Sequence, residues 1–324
     1  MNEENEKPLV EIKIQDVFGV EKASKNIAKA LESSVGPIAQ PVLARMKSYL
    51  EDRASYARAL NQTKSISLVI SESIKEIDFI NSSNISDEQK DILSRAIMSN
   101  YESSSRHQLN REIIGAYAIE SAPVIPSENT TEEEVDDDWL NLFWECAEKI
   151  TKEDVQRVFA NILVSESVHP GAISRKTLQI LSVMDSTDCM SFQHACSVSL
   201  SDDSGVTYLM ASTTDYEDIR LNQNLLNPQD EFHLASLGLV TSTQSQVFDK
   251  ETDTHVFIGD DRYQINIVDE ALFEENEEIS YLFFVFSPAG EELKECISHK
   301  VVEEFARGIK DFFLGRLGIE LVKC

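Results

Sequence analysis

The sequence predicts a mainly α chain that ends in an α+β domain. Apolar residues recur at helical spacing from about Gln15 to Ser197. From Val206 onward, short runs rich in β-branched and aromatic residues replace that period. The length of 324 residues suits two domains, or one large helical body with an appendage.

Residues 1–14, with Leu9, Val10, Ile12 and Ile14, read as a loose N-terminal arm or a short strand. Residues 15–122 read as an N-terminal helical region. Its first stripe is Val20, Ala23, Ile27, Ala30 and Leu31, stopped by Gly36-Pro37. A second runs from Val42 to about Thr63. A third carries Ile66, Val69, Ile70, Ile74 and Ile77 and ends in the loop at residues 81–84. Ser86 and Gln89 have capping-box spacing and start a fourth, through Tyr101. A fifth is expected from about His107 to Ser121.

Residues 123–138 (PVIPSENTTEEEVDDD) hold two prolines, seven acids and no aromatic residue, and predict an exposed, mobile acidic linker. The acids just before Trp139 also suit a helix N-terminus. Residues 139–198 are packed with helical pattern almost without loops. Thr151 and Asp154 have capping spacing, Pro170-Gly171 breaks one helix, and Ser174 can cap the next. Residues 199–324 form the predicted α+β domain. Its strand candidates are 206–210, 246–249, 255–258, 263–268 and 279–286. A helix over 228–239 stops at Gly238, Pro288 starts another at N1, and Val301 to Leu317 is a last amphipathic helix. A helix ending in LGL, then strands, then FSPAGEEL resembles the second half of a winged-helix domain, so the domain is read as winged-helix-like.

Charge is the strongest global signal: 57 acids against 29 bases give −28. From Ser201 onward there are 25 acids and 9 bases. Such a field repels nucleic acid unless a local basic patch exists. Only Val20 to Gln62 leans the other way, with seven bases and four acids; a solvated helix face is its plainer reading. Five cysteines without a CxxC pair fit free thiols in a reducing cytoplasm. The N-terminal MNEENEKPLVEIK lacks the apolar core of a signal peptide, and no run of 18 apolar residues exists.

Chemistry-bearing motifs are scarce. Cys189, His194 and Cys196 lie within eight residues, but His194 points off the face that the cysteines share, and buried thiols are the plainer reading. No glycine-rich phosphate loop is present, and no histidine has a nucleophile signature. Glu166, His169, Ser174 and Arg175 gather at a helix junction and are the functional candidates. Arg175 is expected to reach Glu145, Glu148 or Glu166.

One stretch carries a family resemblance. Asp138-Trp139, Phe143-Trp144, Gln156 to Glu166, and Pro170 to Leu178 are similar to the motif run of the bacterial family called domain of unknown function 2806. Phe159 departs from it, standing where the run usually has Trp. The match spans about Arg106 to Phe192. The resemblance implies a mostly helical bacterial protein and carries no activity or catalytic residue with it.

The reading is a non-enzymatic, cytoplasmic interaction or scaffold protein with no catalytic residue, cofactor or metal. The kind of family resembled points to a bacterial accessory system, phage defence or stress response. Homo-oligomerisation is expected through the last helix, at Phe305, Phe312, Phe313 and Leu317, which little following sequence could cover. A protein partner is expected as well. Two alternatives stand beside this. One is a nucleic-acid-binding regulator using the winged-helix-like region or Val20 to Gln62. The other is an enzyme of unrecognised type at Glu166, His169 and Ser174.

Overall fold

The computed structural model describes residues 26–27, 29–31, 33, 74–121, 133–210, 224–244, 254–276 and 282–324. Expectations for residues 1–14, 34–73 and 246–249 lie outside them. The chain divides into two compact units, Met1–Arg175 and Lys176–Cys324. The first is helical among its described residues, and the second carries an antiparallel sheet.

In the first unit, residues 26–33 are helical where described, as are 74–82. Then come α1 (Asp87–Ser121), α2 (Asp137–Ala147), α3 (Glu153–Val168) and the start of α4 (Arg175–Val183). Ser86 and Gln89 close the expected capping box: the Gln89 amide N–H donates to Ser86 Oγ at 3.3 Å, and the Ser86 N–H to Gln89 Oε1 at 3.1 Å. The fourth and fifth predicted helices are one 35-residue helix. No glycine or proline lies between Tyr101 and His107, and the serines there cost a helix interior far less than either. Thr151 does not cap α3. Lys152 occupies the N-cap without a side-chain bond, so the helix starts later than the capping pair predicts. Asp136 does cap α2, accepting from the Trp139 N–H at 2.8 Å.

The core of this unit joins α2 and α3 to the last turns of α1, where residues 114–118 are buried. Phe143 stacks on Trp139 at 5.3 Å and meets Trp144 and Phe159 edge-on at 4.9 and 5.7 Å. Such pairs add about 1 kcal/mol each beyond area burial. Residues 133–136, the described end of the expected mobile linker, are pinned instead. The Asn26 amide donates to the carbonyls of Glu133 and Ser167, Lys29 donates to the Val135 carbonyl, and Val135 is buried.

In the second unit α4 continues into α5 (Ser186–Ser197), β1 (Ser199–Asp202), β2 (Thr207–Met210), α6 (Pro228–Leu237), β3 (Val240–Gln244), β4 (His255–Ile258) and β5 (Asp261–Ile267). There follow α7 (Glu270–Asn276), β6 (Leu282–Phe286), α8 (Pro288–Cys296), α9 (Glu303–Leu317) and β7 (Ile319–Lys323). The strands β1, β3 and β7 and the helix α7 were not foreseen. Four- and five-residue strands with few alternations give little periodic signal. The sheet order is β3-β6-β2-β1-β4-β5-β7, all antiparallel.

Both hairpins in this sheet use tight polar turns. At β1–β2, the buried Asp202 takes the Ser204 and Val206 amides on one oxygen and the Tyr208 hydroxyl on the other. At β4–β5, Ile258 pairs with Asp261, leaving a two-residue turn with Gly259 at φ +62. That dihedral at the first turn position suits glycine. Helices cover the strands: α6 on β3, α8 on β6, and α9 on β7 and α7. No helix among the described residues is long and apolar enough to cross a membrane.

Candidate functional site

The motif residues converge on the α3–α4 junction. Helix α3 stops at Val168, and Gly171 at φ +88 turns the chain, as Pro170-Gly171 predicts. Glu166, only 2% exposed, faces back into this turn. Its carboxylate accepts the Gly171 N–H at 2.7 Å and the Ile173 N–H at 2.9 Å, one on each oxygen. From the other side, the buried Trp139 indole N–H donates to the Ile173 carbonyl at 2.8 Å. Arg175 donates to Asp136 at 3.0 Å and lies 3.6 Å from Asp138. It therefore pairs with the acids preceding Trp139 and not with Glu145, Glu148 or Glu166. The Trp139 N–H, then Arg175, hold the Asp136 carboxyl below its ordinary value.

An open cleft of about 580 Å³ lies over this junction. Glu166, Ser174 and Arg175 line it, together with Asp136 and Trp139. His169 does not. It caps α3 through its backbone, and the residue is exposed. Three of the four sequence candidates are thus brought together, with the histidine apart. The arrangement clamps a loop: both Glu166 oxygens are engaged by amides, and Arg175 is engaged by exposed acids.

A second network lies in the same unit. Gln156, which opens the matched motif run, donates to the Ile150 carbonyl at 2.8 Å and to Asn110 Oδ1 at 3.4 Å. Asn110 donates to the Glu148 carbonyl at 2.7 Å, and the Glu148 carboxylate takes Arg111, with His107 3.3 Å away. Trp144 donates to Ser33 at 2.9 Å. The motif tryptophans, Gln156 and Glu166 each tie separate helices or loops together, so the motif is legible as packing chemistry.

The second unit carries polar clusters that sequence reasoning missed. Asp188 closes the α5 capping box and meets the His233 ring at 2.6 Å. Among the described residues no hydroxyl or thiol hydrogen-bonds that ring. Glu291 takes the Thr207 N–H and hydroxyl at 2.7 and 2.8 Å, and Lys294 donates to Ser201 and Thr207. Burial pushes the Glu291 carboxyl above its ordinary value. These partners lie tens of residues apart, and no local spacing marks them.

Cys189 and Cys196 are buried, and His194 lies against the Asn224 carbonyl at 2.8 Å. Burial pushes the Cys196 thiol up, away from the reactive thiolate. No group of three metal-ligating side chains occurs among the described residues. Phe305, Phe312, Phe313 and Leu317 are all buried by the chain itself, the first at 0% exposure. The expectation that little sequence remained to cover them overlooked β7, which follows α9 directly and packs against it.

No curated protein and no solved structure matches this sequence. A family model matches residues 94–310, a span that includes the Trp139, Gln156 and Glu166 networks, and the chain belongs to that family, described as Protein of unknown function (DUF2806).

Proposed function

We propose that this chain is a non-catalytic interaction protein that self-associates through a helical arm, residues 74–106. One observation carries the reading. No described residue from 74 to 106 is buried, yet Phe79 is 76% exposed and Ile92 51%, with Ile74, Ile85, Leu93 and Met98 also open. Scattered exposed apolar residues are ordinary, but this many over 25 consecutive residues of two successive helical stretches and their connection mark a contact surface. From Asp87 to Arg106 the helix runs about 30 Å, a length that a helix-to-helix interface can use. Charge selects a second copy as the occupant. The arm holds four bases and six acids, so nearly all of the −28 lies elsewhere. Two copies of so acidic a chain meet little Coulombic cost along a nearly neutral segment. The ion pairs Arg95–Asp91 and Arg106–Glu102 neutralise the arm further.

Light scattering on the full chain over a range of concentrations tests this. The native mass should be a multiple of the 36.5 kDa chain. Phe79→Ser with Ile92→Ser and Leu93→Ser should return it to the single-chain value without lowering the melting temperature, since all three are exposed. A native monomer throughout, or an unchanged mass in the variant, removes the proposal. With it we carry a cytoplasmic role in a bacterial accessory system such as phage defence. Plaque counts on hosts with and without the gene test that part.

A winged-helix-like core in the second unit is a further part of this reading. The order β3-β6-β2, with α6 before β3, supports it. The β4–β5 hairpin and α7 then form an insertion between the two wing strands. Gel shifts with DNA and RNA at low salt distinguish a nucleic-acid-binding use of this core from a purely structural one.

A further inference from the structure

The second unit is strongly acidic, yet its few cations are not scattered. Of the nine bases from residue 201 onward, Lys300, Arg307 and Lys310 line a single cavity of about 510 Å³, beside the carboxylates Asp260, Asp261 and Glu303. The cavity lies between the β4–β5 turn and the first turns of α9, with His299 on its wall. A fourth base, Lys323, grips the lining Asp261 at 2.7 Å. That pairing holds the Asp261 carboxyl below its ordinary value and offsets its charge.

We propose that this cavity binds a small phosphorylated ligand. The volume falls within the range of small-molecule sites, roughly 300–1,000 Å³, and exceeds what a bare phosphate fills. Arg307 reaches Glu303 and Glu304 only at 3.6 and 3.4 Å, in exposed pairs worth little, so an incoming oxyanion can take the guanidinium over. Lys310 sits 4.3 Å from the centre of the Tyr263 ring, which steadies its ammonium at the cavity wall. Lys300 is exposed and has no partner among the described residues. The floor is fixed by a close approach. A Cβ on Gly259 would stand 2.2 Å from Val301 Cγ2, so the turn and the 299–301 segment are held against each other. A long polyanion is disfavoured because the chain from residue 201 onward carries 25 acids, whose field a strand would have to cross. A compact ligand can meet Lys300, Arg307 and Lys310 at close range, with Asp261 already held by Lys323 and Glu303 by Arg307.

Titration calorimetry and thermal shift with inorganic pyrophosphate on the full chain, at low ionic strength, test this, with sodium chloride matched for ionic strength. Saturable binding and a rise in melting temperature are expected with pyrophosphate and not with chloride. Arg307→Gln and Lys300→Gln should each weaken binding about tenfold, the scale of one charge-assisted hydrogen bond. Lys149→Gln, at an exposed base of the first unit outside the arm, should leave it unchanged. Lys300→Gln guards the test against misfolding, because that side chain touches nothing structural. Absence of saturable binding overturns the proposal. So does equal binding by the Lys300 and Arg307 variants, or tighter binding of an oligonucleotide at the same residues.

Discussion

Glu166 and Trp139 show how single side chains decide the α3–α4 junction. Two amides converge on one buried carboxylate, and one indole N–H satisfies the Ile173 carbonyl. Glu166→Ala should lower stability by about 2–3 kcal/mol, because charge-assisted bonds are lost and amides are stranded. Trp139→Phe keeps most of the aromatic stack and should cost about 1–2 kcal/mol. Urea denaturation with tryptophan fluorescence measures both; an Ala variant as stable as the native chain contradicts the clamp. The sequence named Glu166, Ser174 and Arg175 as neighbours, and the cleft brings them together. It misplaced Arg175 because Asp136 and Asp138 lie some 40 residues away, beyond any helical spacing. His169 looked equally placed from its sequence position, but at the helix end it uses its backbone instead.

At the scale of elements, the helices α2, α3, α5, α6 and α8 were legible because each joins a strong apolar period to a start or stop signal. The short strands were not: β3 and β7 draw their partners from residues far along the chain, and β1 is only four residues long. One close approach fixes α8. Ser287 caps it at Gly290 and also donates to the Gly238 carbonyl at 2.6 Å. A Cβ on Gly290 would stand 2.1 Å from the Leu239 carbonyl oxygen, which is backbone and cannot swing away. Gly290→Ala should therefore cost about 3 kcal/mol. Gly171→Ala, with open space around it, should cost about 1 kcal/mol from its positive φ alone. Melting curves that rank these two the other way would refute the packing argument. The α8–β2 contact also predicts a pH effect. Glu291 is raised above its ordinary carboxylate value, so the folded chain holds that proton more tightly than the unfolded one. Its contribution is greatest when the site is protonated and declines as pH rises from the ordinary carboxylate value through the raised one. Glu291→Gln should flatten the stability profile across that window; superimposable profiles for the two chains would exclude this.

For the whole molecule, the change from helical spacing to strand-like runs foretold a helical body followed by an α+β region, and composition its acidity. It did not foretell where the few cations of the second unit gather, since Lys300, Arg307 and Lys310 meet only when α9 lies beside the β4–β5 turn. Nor did it foretell that β7 would cover α9. The strand order of that sheet has a consequence in time. β2 and β6 pair residues about 75 apart and β5 and β7 about 56 apart, as between Leu209 and Phe284 and between Ile265 and Leu321. Closing such loops is slow compared with winding helices next to one another. Both tryptophans of the chain, Trp139 and Trp144, lie in the first unit. Indole fluorescence is therefore a clock for the helical unit alone, while circular dichroism sees both. After a jump out of urea the fluorescence should settle first, and the dichroism should go on changing until the last strand has found its neighbour.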